Sequence, residues 1–172
     1  ILIVVIAILI IMSAYFSATE TAFSSLNKIK LKNLATNGSK RAENTINLDK
    51  KFDSILSTIL IGNNIVNIAS ASIATIVFTK YYGDAGVTIS TIVMTIVVLI
   101  FGEISPKSLS KESPEKFAMF STPILRVLLV MFTPLNFLFG LWKKTISKVI
   151  KIEKILIEER RVKEIIVEIN RK

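Results

Sequence analysis

Phe101-Gly102-Glu103-Ile104-Ser105-Pro106-Lys107 closes a run, Val87 to Ile100, that carries no charge. Such a run is membrane material, since a hydrocarbon core of about 30 Å takes roughly 20 helical residues. A carboxylate then appears at Glu103, and three residues later comes a proline. Pro106 has no backbone N–H, so in an α-helix the Gly102 carbonyl loses its donor. Gly102 has no side chain to shield that oxygen. A bare carbonyl beside a carboxylate, at the end of a membrane helix, points to a cation site.

Composition supports a membrane reading. Hydrophobic residues make up 51% of the 172-residue chain, and mean hydropathy is +0.58, both beyond an ordinary soluble domain. The apolar residues form blocks, and the charges, net +9, lie between them. A basic excess so placed reads as cytoplasmic loops and headgroup contact, not nucleic-acid binding. There is no Cys and no His. Disulfides, thiolate or imidazole metal sites and imidazole catalysis are therefore excluded. With no HExxH pattern and no facing aspartate pair, the chain is not expected to be an enzyme. A metal site must be built from oxygen, which favours hard cations such as Mg²⁺, Ca²⁺ or Na⁺.

These blocks predict an all-α membrane protein with three transmembrane helices, at about 1–26, 54–79 and 86–106. In the first, Ser13, Ser17, Glu20 and Ser24 fall at i, i+4, i+7 and i+11 and share a face. Serines alone would be a hydrogen-bonded seam between helices. The ionisable Glu20 on the same stripe tips that face toward function. The second block carries Gly62, Asn63, Asn64 and Asn67. Three amides in a span are costly unless paired, so at least one serves as interhelical glue. An amide oxygen is also a good cation ligand, and one of the three is expected to act so. In the third block Thr88, Thr91, Thr95 and Gly102 form a stripe leading toward Glu103.

The polar segment Asn27–Asp53 is expected to form two short helices, turned at Asn37-Gly38, with solvated charges on the headgroups. It holds seven Lys and Arg, loop 79–86 holds one, and three lysines follow Pro106. The positive-inside rule then places the N-terminus outside and the chain inside the cell after span three. The last apolar block, Phe117–Trp142, has basic residues at both ends. Pro123 and Pro134 interrupt it, and Arg126 sits within it. A juxtamembrane helix pair, about 114–145, that enters the inner leaflet and returns fits better than a fourth span. The segment 152–172 is amphipathic and is expected to be a cytoplasmic helical segment leading to a further soluble module.

Ser17/Glu20, Asn63/Asn64/Asn67 and Gly102/Glu103 thus fall at similar depth in three spans. Two carboxylates, hydroxyls, an amide and a freed carbonyl would balance a divalent cation. The plainer alternative is that Glu103 pairs with Lys107 at i+4 and Glu20 caps a neighbouring loop.

Phe16-Ser17-Ala-Thr-Glu20-Thr-Ala, Gly62-Asn63 with Asn67, and Gly102-Glu103-Ile-Ser-Pro106-Lys107 resemble the motifs of the CNNM/CorC (hemolysin-like) transmembrane domain. The resemblance covers Ile1 to about Lys151, with three motifs in order. It implies a homodimeric domain of three spans plus juxtamembrane helices, in the cell membrane. The implied activity is Mg²⁺ efflux, with Na⁺ entry as the candidate coupling reaction. A CBS-pair module that binds ATP is implied downstream. By motif, Ser17, Asn63, the Gly102 carbonyl and Glu103 would be Mg²⁺ ligands, with Glu20 a less regular member. Ser13, Ser24, Asn64, Asn67, Pro106 and Lys107 would support them. A sensor or scaffold that regulates another transporter needs the same cage and is the competing expectation.

Overall fold

The computed structural model describes residues 1–138 and 140–142, with no strand among them. Ile1–Phe132 forms one compact unit, and a second begins at Thr133. Among the described residues, three helices are long and apolar enough to cross a membrane. The first, α1, is Leu2–Ser24; the second, α4, is Phe52–Tyr82. The third is a 28-residue rod, Ala85–Glu112, made of α5 (Ala85–Val97), a π-helical segment (Val98–Ile104) and α6 (Ser105–Glu112). At 1.5 Å per residue, α1 alone reaches about 34 Å, enough for the hydrocarbon core. Large apolar side chains such as Ile8, Ile68 and Ile92 stand exposed on these rods. Lipid, not water, suits such a surface.

The directions of the spans follow from pairs of contacts. Ser13 meets Asn63, and Phe16 covers Gly62, so α1 and α4 run oppositely. Ser13 also abuts Gly102, and Glu20 meets Lys107, so α1 and the third rod run together. Phe16, Phe23, Ile55 and Ile59 fill the core between α1 and α4. A Cβ on Gly62 would stand 2.4 Å from the Phe16 ring. Only glycine lets the two helices approach this closely.

Between α1 and α4 lie α2 (Lys28–Thr36) and α3 (Lys40–Asp49). Asn27 caps α2 by accepting from the N–H groups of Ile29 and Lys30, and Ser39 caps α3, as short polar side chains do. The turn between them runs through Gly38 at φ +89°, a left-handed position that glycine tolerates. The two short helices are as expected. The expectation that their charges are merely solvated is corrected. Lys28 pairs with Asp49 at 2.8 Å and Lys30 with Glu115 at 2.9 Å.

Glu115 opens α7, Pro114–Met131, which packs against both α1 and α3. Ala118 and Leu125 enter the core. Thr122 bonds Thr45 at 2.8 Å, Ser121 meets Thr19 at 3.2 Å, and Arg126 donates to Asn44 at 2.9 Å. From Glu115 to Arg126 the helix therefore stays beside the polar segment rather than leaving for the opposite face. Pro123 does not interrupt it, contrary to expectation. A proline inside a helix costs about 3 kcal/mol or more, and the buried residues on either side of it outweigh that. The break comes instead at Phe132, and residues 133–138 and 140–142 are again helical. The expected helix 152–172 lies outside the described residues.

Burial alone would raise the Glu115 carboxyl. The Lys30 ammonium and the Asn27 N–H outweigh it and hold the group below its ordinary 4.5. A lowered folded value stabilises above the unfolded pKa, and the contribution fades as pH falls through the folded value. Glu115→Gln should cost about 1–2 kcal/mol at neutral pH. In thermal unfolding its gap to wild type should close as pH drops below 4.5. A second outcome concerns Gly62. Gly62→Ala should lose about 1–3 kcal/mol by overpacking, and adding Phe16→Leu should recover part of it.

Candidate cation site

Ser13 is the point where all three spans meet. Its hydroxyl donates to Asn63 Oδ1 at 3.0 Å. A Cβ on Gly102 would come within 2.9 Å of the same hydroxyl. One motif residue from each span is thereby brought to one place, deep enough that Ser13 is buried.

One turn along the same stripe of α1, Ser17 is fully buried and its hydroxyl has no hydrogen-bond partner among the described residues. Ser13 touches the third rod at Gly102 on one side of it, and Glu20 touches Lys107 on the other. Ser17 therefore faces the stretch that contains Glu103. Glu103 is half-buried and makes no hydrogen bond or ion pair among the described residues. Asn67 Oδ1 is another buried oxygen without a partner among the described residues. Buried polar atoms are rarely left so, and those that are call for a bound water or ion.

Several expectations change here. Lys107 pairs with Glu20 at 3.1 Å, not with Glu103. The reach of Lys107 from α6 across to α1 is what the i+4 spacing could not reveal. One of the two carboxylates is thereby neutralised, and Glu103 keeps the free formal charge. The π-helical segment also alters the backbone. Ser105 N–H donates to the Ile100 carbonyl, five residues back. Pro106, the next residue, has no N–H with which to continue that register. Such bulges are frequent at functional sites.

Some candidates are not drawn in. Ser24 lies exposed at the last residue of α1. Asn64 is exposed and donates to Leu60 of its own helix. Thr91 and Thr95 likewise donate to carbonyls of their own helix and stay exposed. Among the described residues no three acidic side chains converge. A cation here would be held by one carboxylate and neutral oxygens.

The sequence matches the family described as the Cyclin M transmembrane N-terminal domain, CNNM, over residues 4–170. This chain belongs to the CNNM family. It is 42% identical over 149 residues to a UPF0053 protein of Haemophilus influenzae, covering 87% of this chain and 36% of that protein. It is 44% identical over 126 residues to the UPF0053 inner membrane protein YfjD of Escherichia coli, covering 73% and 29%. It is 26% identical over 157 residues to a polyamine export protein of Salmonella typhimurium, covering 84% and 35%. The chain thus spans about a third of the length of these relatives.

Within this CNNM domain the sequence reading undervalued Ser13, placing it in support when it ties the three motifs together. It missed Tyr15, Thr19 and Ser121, which join α1 to α7. The spacing of Tyr15 and Thr19 at i, i+4 was a signal for a second polar face. Ser13→Ala should remove the bond to Asn63 at a cost of about 1 kcal/mol. Ser24→Ala should leave thermal stability unchanged, and a parallel pair of melts checks both.

Proposed function

We propose that this domain transports Mg²⁺ out of the cell through the Ser13–Asn63–Gly102 junction. The cation would be held by Glu103, Ser17 and an asparagine amide. The observation that carries the reading is the buried, partnerless hydroxyl of Ser17 facing the stretch with the free carboxylate Glu103. With one formal charge and neutral oxygens, the site suits a hard cation that keeps part of its water shell, as Mg²⁺ does. Na⁺ is the proposed coupling ion. Orientation follows the charge count, with the N-terminus outside and the basic segment inside. We further propose a homodimer, because exposed Asn64 on the flank of α4 favours a protein neighbour over hydrocarbon. A downstream CBS-pair module is proposed from the family resemblance.

A sensor that binds Mg²⁺ without moving it uses the same oxygens, and the Salmonella relative's name raises polyamines as cargo. Flux into proteoliposomes, with Mg²⁺, Na⁺ and spermidine in separate arms, separates the three. Mg²⁺ binding is read by the rise in melting temperature on titration. Glu103→Gln keeps size and hydrogen bonding but removes the charge. It should raise the Mg²⁺ midpoint by at least about tenfold, because Coulomb terms in a partly desolvated site exceed those in water. Lys107→Gln should lower that midpoint by releasing Glu20. An unchanged Mg²⁺ response in Glu103→Gln would sink the assignment.

A further inference from the structure

On the basic side of the membrane, α3 and α7 enclose a cavity of about 370 Å³ lined by two arginines, Arg41 and Arg126. Arg126 is the one charged residue in the apolar stretch Phe117–Met131. Its guanidinium donates to Asn44 through Oδ1 at 2.9 Å and the backbone carbonyl at 3.5 Å. Both acceptors are neutral. No carboxylate pairs with either arginine among the described residues. Two guanidinium charges thus face one cavity uncompensated.

Asn44 and Thr122 add neutral polar groups, and the remaining wall is apolar: Met119, Phe120, Pro123 and Ile124. Phe120 and Ile124 are exposed, and Val127 and Met131 continue them on the same face of α7. The spacing of i, i+4, i+7 and i+11 makes this one stripe. A ligand that matches both parts must carry an oxyanion at one end and hydrocarbon at the other. Guanidinium groups bind phosphate through paired N–H donors, and basic pockets at a membrane surface collect acidic headgroups.

We infer that Arg41 and Arg126 form a binding site for an anionic phospholipid, with its phosphate between the guanidiniums and its acyl chains along the Phe120–Met131 stripe. A free phosphate or nucleotide would leave that stripe unused. The site lies apart from the cation junction and does not depend on what the junction carries. Occupied, it ties α3 to α7, and α7 in turn holds α1 through Ser121 and Thr19.

The test uses the full-length protein in detergent micelles doped with phosphatidylglycerol or with phosphatidylcholine of the same chains. Melting temperature and lipid retained in native mass spectrometry are the readouts. Phosphatidylglycerol should raise the melting temperature and stay bound; phosphatidylcholine and inorganic phosphate should do neither. Arg41→Gln, which removes no hydrogen bond within the protein, should weaken retention by about tenfold, the effect of one charge-assisted contact. Arg126→Lys keeps the charge but loses the planar fork and should weaken it in the same direction. Lys32→Gln with Lys111→Gln, a larger loss of charge on the same side, should retain the lipid. Equal loss in the lysine control would mean diffuse surface attraction and overturn the site. Stabilisation by inorganic phosphate equal to that by phosphatidylglycerol would overturn the lipid assignment.

Discussion

The close approach of three helices at Ser13 is the constraint on which the other features depend. Two glycines permit it. Gly62 lets the Phe16 ring lie against α4, and Gly102 lets the third rod reach the Ser13 hydroxyl. A side chain at either position would push a rod outward and separate Ser13 from Asn63. In hydrocarbon there is no hydrophobic drive between helices, so small residues and hydrogen bonds set their spacing. Ser13 and Ser17 are therefore sealed from lipid, Ser17 as a consequence of contacts made on either side of it.

The basic side of the molecule is organised by a different kind of contact. Neutral hydroxyl pairs, Thr45 with Thr122 and Thr19 with Ser121, hold α7 against α3 and α1. Charged pairs sit at its edge, where Lys30 meets Glu115. This arrangement lets a mostly apolar helix lie beside a polar segment without crossing to the other face. The Glu20–Lys107 pair occupies the boundary between this layer and the cation junction. Partly exposed pairs of this sort contribute only about 0–1 kcal/mol. Its consequence is electrostatic: it leaves Glu103 as the free carboxylate of the junction.

The sequence by itself determined the three spans and the two short polar helices. Length, apolar runs and cap residues are local properties, and they act within a turn or two of helix. The third rod shows where locality ends. Gly102, Glu103 and Pro106 were legible as a candidate site, but the π-helical turn that carries the first two depends on how the whole rod packs. Likewise, i+4 spacing offered Lys107 to Glu103, whereas the lysine reached Glu20 on another helix. Pro123 was expected to break a helix that burial on two sides keeps intact. Tertiary structure decided pairings, backbone register and which oxygens are left without partners, because those are settled by distances between segments far apart in the chain. No spacing within one helix encodes them.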